Sequence, residues 1–315
     1  MRVRLLGCDG EAYALPAPVS WRVVRTGSVP CDEMELCCPW DGEGLEALRR
    51  CDRFVVYEGD AVMLTGVVDE YEARVTQTGR FLTVTGRGMM ARLLDNEAEA
   101  VSYQKLTVDE LLRRHAAGWG INWQKTDKGS RGGSWEVRSG ESQWSVISGF
   151  CRSVLGYEPY MTALGELVVA PLRGSGEELR LGEGILSCTL RDKRYGVISE
   201  MLVKNKGGDG VRVVNEPFRQ RGGQRRQVLY MPRRSSRSAM RYTGQYQIEQ
   251  SMDGAKQVEV TLPGGFLAQC GVKVTLAYEP MKLYGRYHVV QAESRGSEQG
   301  TTTTLLLEEL TDVDG

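Results

Sequence analysis

Histidine is nearly absent from this chain, with only His115 and His288 among 315 residues, far apart in sequence. Eight cysteines are present, yet no two form Cys-x-x-Cys. A structural zinc site needs four soft ligands at tight spacing, so that class of site is excluded. Cys31 beside Cys37-Cys38 is the one arrangement with a redox or metal reading. The plainer reading is reduced thiols packed as small hydrophobes. Also missing are the phosphate loop Gly-x-x-x-x-Gly-Lys-Ser/Thr, Gly-x-Gly-x-x-Gly, Gly-x-Ser-x-Gly and His-Glu-x-x-His. No apolar run reaches the roughly 18 to 20 residues of a spanning helix. The N-terminus "MRVRLLGCDG" lacks a signal-type apolar region, which points to the cytoplasm at synthesis. Net charge is −1, so no global field favours nucleic acid or a membrane surface.

What is present is alternation. "LTGVVDEYEARVTQTGRFLTVTGR" (64–87) alternates apolar and polar residues, breaks at Thr78-Gly79 and resumes, as an antiparallel hairpin with one wet face does. A looser copy, "LYGRYHVVQAESRGSEQGTTTTLLLEEL", occupies 283–310. Both open with Leu-x-Gly. The segments 19–27 and 52–68 alternate likewise, and "PWDGEGLEALRRCD" between them reads as a loop with one helical turn. "GMMARLLD" (88–95) has helical spacing.

Composition shifts after about residue 97. In "LTVDELLRRHAAGWG", Thr107 and Glu110 form a capping box and His115 falls on the polar stripe, at the surface. "ESQWSVISGFCRSVLG" is a second amphipathic helix, and "YEPYMTALGELVVAPL" a hairpin turning near Gly165. From 176 onward the reading is β again. The fold class is therefore mainly β with an inserted α/β unit: a first β domain over 1–97, the insert over 98–175, and a second β domain over 176–315, whose early strands can alternatively complete the first domain.

The stretch "FVVYEGDAVMLTGVVDEYEARVTQTGRFLTVTGRGMMARLLD" resembles the N-terminal β domain of phage tail baseplate hub proteins. That family includes the hubs of Mu-like and PBSX-like tails, the late control D proteins and the hub half of type VI secretion spike proteins. Its pattern falls here on Gly66-Val67-Val68, Gly86-Arg87 and Leu93-Leu94-Asp95. The likeness continues through "LTVDELLRRHAAGWGIN", "VISGFCRSVLGYEPYMTALGELVVAP" and the closing strands. It implies two related tail-tube-like β-barrel domains per chain and a homotrimer without cofactors. Three chains would then present six barrels, and duplication is one way for a threefold spike to meet a sixfold tube. The partners implied are the tail tube protein, the central spike, other baseplate proteins and the tape measure protein. The chain would assemble in the host bacterial cytoplasm and end in the particle's baseplate. Hairpin-shaping candidates are Gly66, Gly79, Gly86, Arg87, Gly285 and Gly300. The glycines suit turns or bulges, and Arg87 can instead hold a nearby carboxylate. The alternative for the duplication is that Leu-x-Gly hairpins are common and the likeness is chance.

Between residues 219 and 241 lie eight arginines and no acid: Arg219, Arg221, Arg225, Arg226, Arg233, Arg234, Arg237 and Arg241. This departs from the family pattern. Three readings rank in order: a basic arm gripping an acidic neighbour, a solvated loop, and nucleic-acid binding with Tyr230 and Tyr242 stacking. Two competing functions belong to other classes. A tail-associated cell-wall hydrolase would use acids such as Asp69, Glu70 and Glu72, although Asp69 and Glu70 point to opposite faces of a strand. A polynucleotide-binding β-barrel protein is the other, and the charge balance argues against it.

Overall fold

The structure, a computed structural model, describes residues 1–26, 31–125, 132–172, 178–208 and 210–310. It is mainly β, at 49% strand and 19% helix. The first part contains β1 (Arg2–Gly7), β2 (Ala12–Ala14), β3 (Ser20–Thr26), β4 (Glu33–Pro39), α1 (Leu45–Leu48), β5 (Cys51–Glu58), β6 (Ala61–Thr76), β7 (Gly79–Gly88) and α2 (Ala91–Leu94). Period-two alternation turns Val23, Met34, Leu36, Phe54, Leu64, Leu82 and Val84 into one core, and polar residues face the other way.

The insert follows as β8 (Val101–Thr107), α3 (Val108–His115), β9 (Trp123–Lys125), β10 (Gly132–Val137), α4 (Gln143–Phe150), β11 (Tyr160–Met161) and β12 (Leu167–Val169). Thr107 caps α3, its hydroxyl accepting from the Glu110 N–H at 3.3 Å. Helix α4 continues as a π-helical turn over Cys151–Leu155 and ends at Gly156 in a left-handed conformation. The hairpin of β11 and β12 turns at Gly165, φ +76°.

The remaining strands divide between two sheets. β13 (Glu178–Leu181), β14 (Ser187–Asp192), β18 (Lys256–Pro263), β19 (Lys273–Tyr278), β20 (Leu283–Ser297) and β21 (Gly300–Glu309) join the first part in one 13-stranded sheet. Between β14 and β18 the chain leaves that sheet to build a separate module. It comprises β15 (Glu200–Asn205), β16 (Gly210–Val214), α5 (Glu216–Gln220), β17 (Arg226–Met231) and α6 (Arg237–Met252).

This module corrects the arginine-rich stretch. Residues 219–241 are no loop: they span the end of α5, all of β17 and the start of α6. Ser236 caps α6, accepting from the Ala239 N–H at 3.2 Å. Met240, Gly244 and Ile248, spaced four apart, make a narrow stripe that closes on Met201, Val203, Val211 and Val213. Gly244 is required there, since a Cβ would stand 2.7 Å from Val213 Cγ2. Arginines thus decorate a folded unit whose core needs only a few apolar positions.

Candidate assembly interface

The two expected hairpins exist, and their strand registers superpose closely. In the first, Val68 opposes Gly86 and Glu70 opposes Thr85, which leaves Asp69 as a bulge residue. In the second, Val289 opposes Leu307 and Gln291 opposes Leu306, which leaves Val290 as the bulge. From each bulge the ladder runs to the same end: Thr76 opposite Gly79, and Ser297 opposite Gly300. Gly79 and Gly300 both have positive φ, +146° and +115°. In both turns the side-chain hydroxyl accepts a backbone N–H two residues on, from Thr78 and from Gln299, each at 3.2 Å.

The correspondence spreads to flanking strands. β4 lies on β7 as β18 lies on β21, and β3 on β4 as β14 on β18, all antiparallel. Ladder-equivalent positions carry the same residue at Ser20 and Ser187, Glu35 and Glu259, Pro39 and Pro263, Glu72 and Glu293, and Arg74 and Arg295. A four-strand unit is therefore present twice. The Leu-x-Gly openings, however, are not equivalent. Gly66 stands two positions before Val68, whereas Gly285 stands four before Val289, so the sequence alignment on that motif is out of step by two residues. Past the four strands the copies diverge: β1 runs antiparallel to β5, but β13 runs parallel to β19.

The two copies meet edge to edge within the chain. β3 pairs with the second half of β20, from Thr26 opposite Gln291 to Trp21 opposite Gly296. Gly296 is demanded by that contact, because a Cβ would lie 2.6 Å from Trp21 Cζ2. Arg22 crosses the seam to donate to Glu293 at 2.8 Å and reaches Glu33 at 2.9 Å. Burial and hydrogen bonding to Arg295 and Arg22 act oppositely on Glu293, and the net effect holds its pKa below the usual carboxylate value. Neither Trp21 nor Gly296 stood out in the sequence; the register of two distant strands brings them together.

Around the first hairpin each candidate has a definite place. Gly66 and Gly86 sit beneath the Phe54 ring. A Cβ on Gly66 would collide with the Arg87 carbonyl oxygen and lie 2.5 Å from Phe54 Cζ; one on Gly86 would lie 2.6 Å from Phe54 Cε1. Their need is close approach rather than turn geometry. Gly285 has no such need, its nearest neighbour being the Tyr287 ring at 3.2 Å. Arg87 grips two carboxylates. It donates to both Asp69 oxygens at 2.8 Å and to both Asp95 oxygens at 2.9 and 2.7 Å. The bulge is thereby tied to the end of α2, and hydrogen bonding to Arg87 holds the Asp95 carboxyl below its ordinary pKa.

Nearby, Asp32 accepts from the Thr26 N–H at 2.7 Å and faces Arg25 Nε at 3.8 Å. Burial pushes its pKa up to about 6. His115 is not at the surface: it is buried between Gln143 Oε1, 2.7 Å from Nδ1, and Tyr103 Oη, 3.2 Å from Nε2. Burial lowers its pKa, so the imidazole is neutral, with Nδ1 donating to Gln143. His288 lies in β20, away from this insert. All eight cysteines are free. Burial pushes the thiols of Cys31 and Cys38 up to about 11 and those of Cys151 and Cys270 up to about 12, which suits packing rather than thiolate chemistry. Among the described residues no group of three or more His, Cys, Asp or Glu could hold a metal ion. No described helix is long and apolar enough to cross a membrane.

Three of the eight arginines are tied down internally. Arg226 meets Glu200 at 2.6 Å, Arg225 donates to the Tyr195 and Gly196 carbonyls at 2.7 and 2.9 Å, and Arg221 lies 3.8 Å from Asp192. Arg219, Arg233, Arg234, Arg237 and Arg241 are exposed.

Comparison with known proteins points one way. No protein-family model matches the chain. Over 170 residues it is 26% identical to baseplate hub protein gp44 of Escherichia phage Mu, across 52% of this chain and 45% of that protein. The match thus spans less than half the length of that relative. The prophage MuSo2 43 kDa tail protein from Shewanella oneidensis superposes with a TM-score of 0.80 at 16% identity, covering 98% of both chains. The tail protein from Neisseria meningitidis MC58 gives 0.77 at 17% identity, covering 98% of this chain and 95% of that one. The chain has the fold of phage tail and baseplate hub proteins. A component of the type VI secretion system, the E. coli c3393 protein, shares it more distantly, with a TM-score of 0.57 at 11% identity over 94% of this chain and 74% of that one. Its structure is described as similar to bacteriophage T4 tail proteins gp27 and gp5.

Proposed function

We propose that this hub-fold chain is the structural baseplate hub of a contractile phage tail or tail-like particle. It acts as a non-enzymatic trimeric ring between a sixfold tube and a threefold spike. The observation that carries this is the duplicated four-strand unit, matched in register, bulge and turn. A chain with two equivalent units presents six in a trimer, so each unit meets one tube subunit while the whole chain meets one spike subunit. The chain reads as a first barrel (1–97), an insert (98–175) and a second barrel (176–315), the last carrying the arginine-bearing module. Gly66, Gly86 and Gly79 shape the first hairpin and Gly300 the second, while Arg87 fixes the first bulge. Assembly in the bacterial cytoplasm and residence at the particle's baseplate follow from this reading.

The exposed Arg219, Arg233, Arg234, Arg237 and Arg241 would contact an acidic surface of a neighbouring baseplate, spike or tape measure protein. Arg219 lies on α5, Arg237 and Arg241 on α6, and Arg233 and Arg234 in the turn between β17 and α6, an ordered setting that favours a protein contact over the solvated-loop reading. The test of the hub reading is copy number. Quantitative mass spectrometry of purified tail particles should give three copies of this chain for each spike, against a multiple of six for the tube protein. Six or more copies would make it a tube or wedge component and remove the adaptor role.

A further inference from the structure

We infer that the open face of the three-stranded sheet in the arginine-bearing module is a docking surface for an acidic amphipathic helix of a partner protein. Leu202, Val228 and Tyr230 receive its apolar stripe, and Lys204, Arg212 and Arg226 the carboxylates beside that stripe. This deepens the hub reading, and it rests on that reading only for the partner's place in the particle.

The face follows from the strand ladders. Strand order is β16-β15-β17. Leu202 on the central strand opposes Arg212 and Val228, Lys204 opposes Gly210 and Tyr230, and Glu200 opposes Val214 and Arg226. Directly opposed residues point the same way, so these positions share one face. The alternate positions Met201, Val203, Val211 and Val213 turn the other way and pack against Met240 and Ile248 of α6. A helix therefore closes one face. The other stands open, with Val228 48% and Tyr230 66% exposed.

Strand chemistry argues for a second cover. β15 and β17 run parallel, and parallel pairing is found mostly where both faces are covered. The central strand reads accordingly: Met201-Leu202-Val203 is apolar on both sides, where a half-wet strand would alternate. Leu202 occupies the middle of the open face, with Val228 beside it. Width points to a single helix. Strands about 4.8 Å apart set the outer two of three about 10 Å from each other, close to the diameter of one helix. α6 fills the opposite face on the same terms.

Charge gives the partner's sign. Residues 194–255 carry twelve Lys or Arg against five Asp or Glu, a net of +7, while the rest of the chain carries 28 against 36, a net of −8. On the face itself three cations surround one acid, and that acid is already engaged. Glu200 Oε1 lies 2.6 Å from Arg226 Nε and 3.4 Å from Arg212 Nε. Both arginines stay more than half exposed, and each guanidinium has five N–H donors, so both keep capacity for a partner's carboxylate. Arg233 stands at the Lys204 end, its Cγ 3.6 Å from where a Cβ on Gly207 would be, in the turn between β15 and β16. An apolar centre with a charged rim is the anatomy of a protein interface, in which tyrosine and arginine contribute most. Single-stranded nucleic acid asks instead for successive rings to stack on. Here the centre is aliphatic, and Tyr230 is the one ring among these positions.

Synthetic helices test this on the purified full chain by fluorescence anisotropy. A peptide of about 15 residues with a leucine stripe flanked by glutamates should bind. A scrambled peptide of the same composition should not, nor should one with lysine in place of glutamate. Val228→Asp and Lys204→Glu should each weaken binding about tenfold. Arg50→Glu, a charge reversal at an exposed residue before β5, should leave it unchanged. Urea midpoints check that the variants fold, and Lys204→Glu carries the comparison where Val228→Asp does not. Equal binding of the scrambled peptide would reduce the face to general charge attraction, and tighter binding of oligo(dT) would make it a nucleic-acid surface. Either result overturns the proposal, as does no binding at all. Copy number in the particle is read separately. Three copies per spike without peptide binding keep the hub and remove the docking face, whereas peptide binding with six or more copies keeps the face and removes the hub.

Discussion

The two glycines that open the hairpins should respond very differently to the same added methyl group. At Gly66 a Cβ meets a backbone carbonyl, that of Arg87, and the ring of Phe54, which is fully buried at 0% exposure and cannot swing out. Overpacking of this kind costs about 1–3 kcal/mol, and the immobile carbonyl places Gly66→Ala at the upper end, about 3 kcal/mol. At Gly285 the nearest atom is the edge of Tyr287 at 3.2 Å, which yields by a few tenths of an ångström, so Gly285→Ala should cost below about 1 kcal/mol. Urea unfolding followed by tryptophan fluorescence, with the midpoint shift multiplied by the slope, measures both. Phe54→Leu on the Gly66→Ala background should recover about 1 kcal/mol relative to additivity, because it removes the ring but not the carbonyl. Equal losses at Gly66 and Gly285, or strict additivity with Phe54→Leu, would refute the close-approach account.

Other expectations concern charge and thiols. Arg87→Met should lower stability by about 1 kcal/mol, a figure kept small because the arginine and its acids are about one-third to one-half exposed. The loss should shrink in high salt, as urea titrations at two ionic strengths would show. Asp32 titrates near 6 in the folded chain against an ordinary 3.8, so the folded state binds its proton more tightly. Its stabilising contribution is fully present below about pH 4 and lost as pH rises through about 6, by at most about 3 kcal/mol. Asp32→Asn should remove that slope, so unfolding free energies of wild type and variant measured from pH 4 to 7 should converge towards acid. A thiol reagent under native conditions should label Cys8 first. Cys31, Cys38, Cys51 and Cys151 should stay silent until urea unfolds the chain, as timed mass spectrometry would record.

The strands were legible in the sequence because each ladder has one wet and one buried face, and period-two alternation records that directly. Turns at Gly79, Gly165 and Gly300 were legible because each has the positive φ that favours glycine. Helix α6 was not legible. Its only buried positions are Met240, Gly244 and Ile248, and one of the three is glycine, so the apolar stripe is too thin to stand out from arginine, serine and glutamine. The spacing of those three residues behind Ser236 was the available signal. His115 was misplaced for a related reason. Its neighbours Arg113 and Arg114 are polar, but its partners Tyr103 and Gln143 come from another strand and another helix, which no local window contains. The duplication was visible only in outline, since Leu-x-Gly aligned the wrong residues while the bulges at Asp69 and Val290 carried the true register.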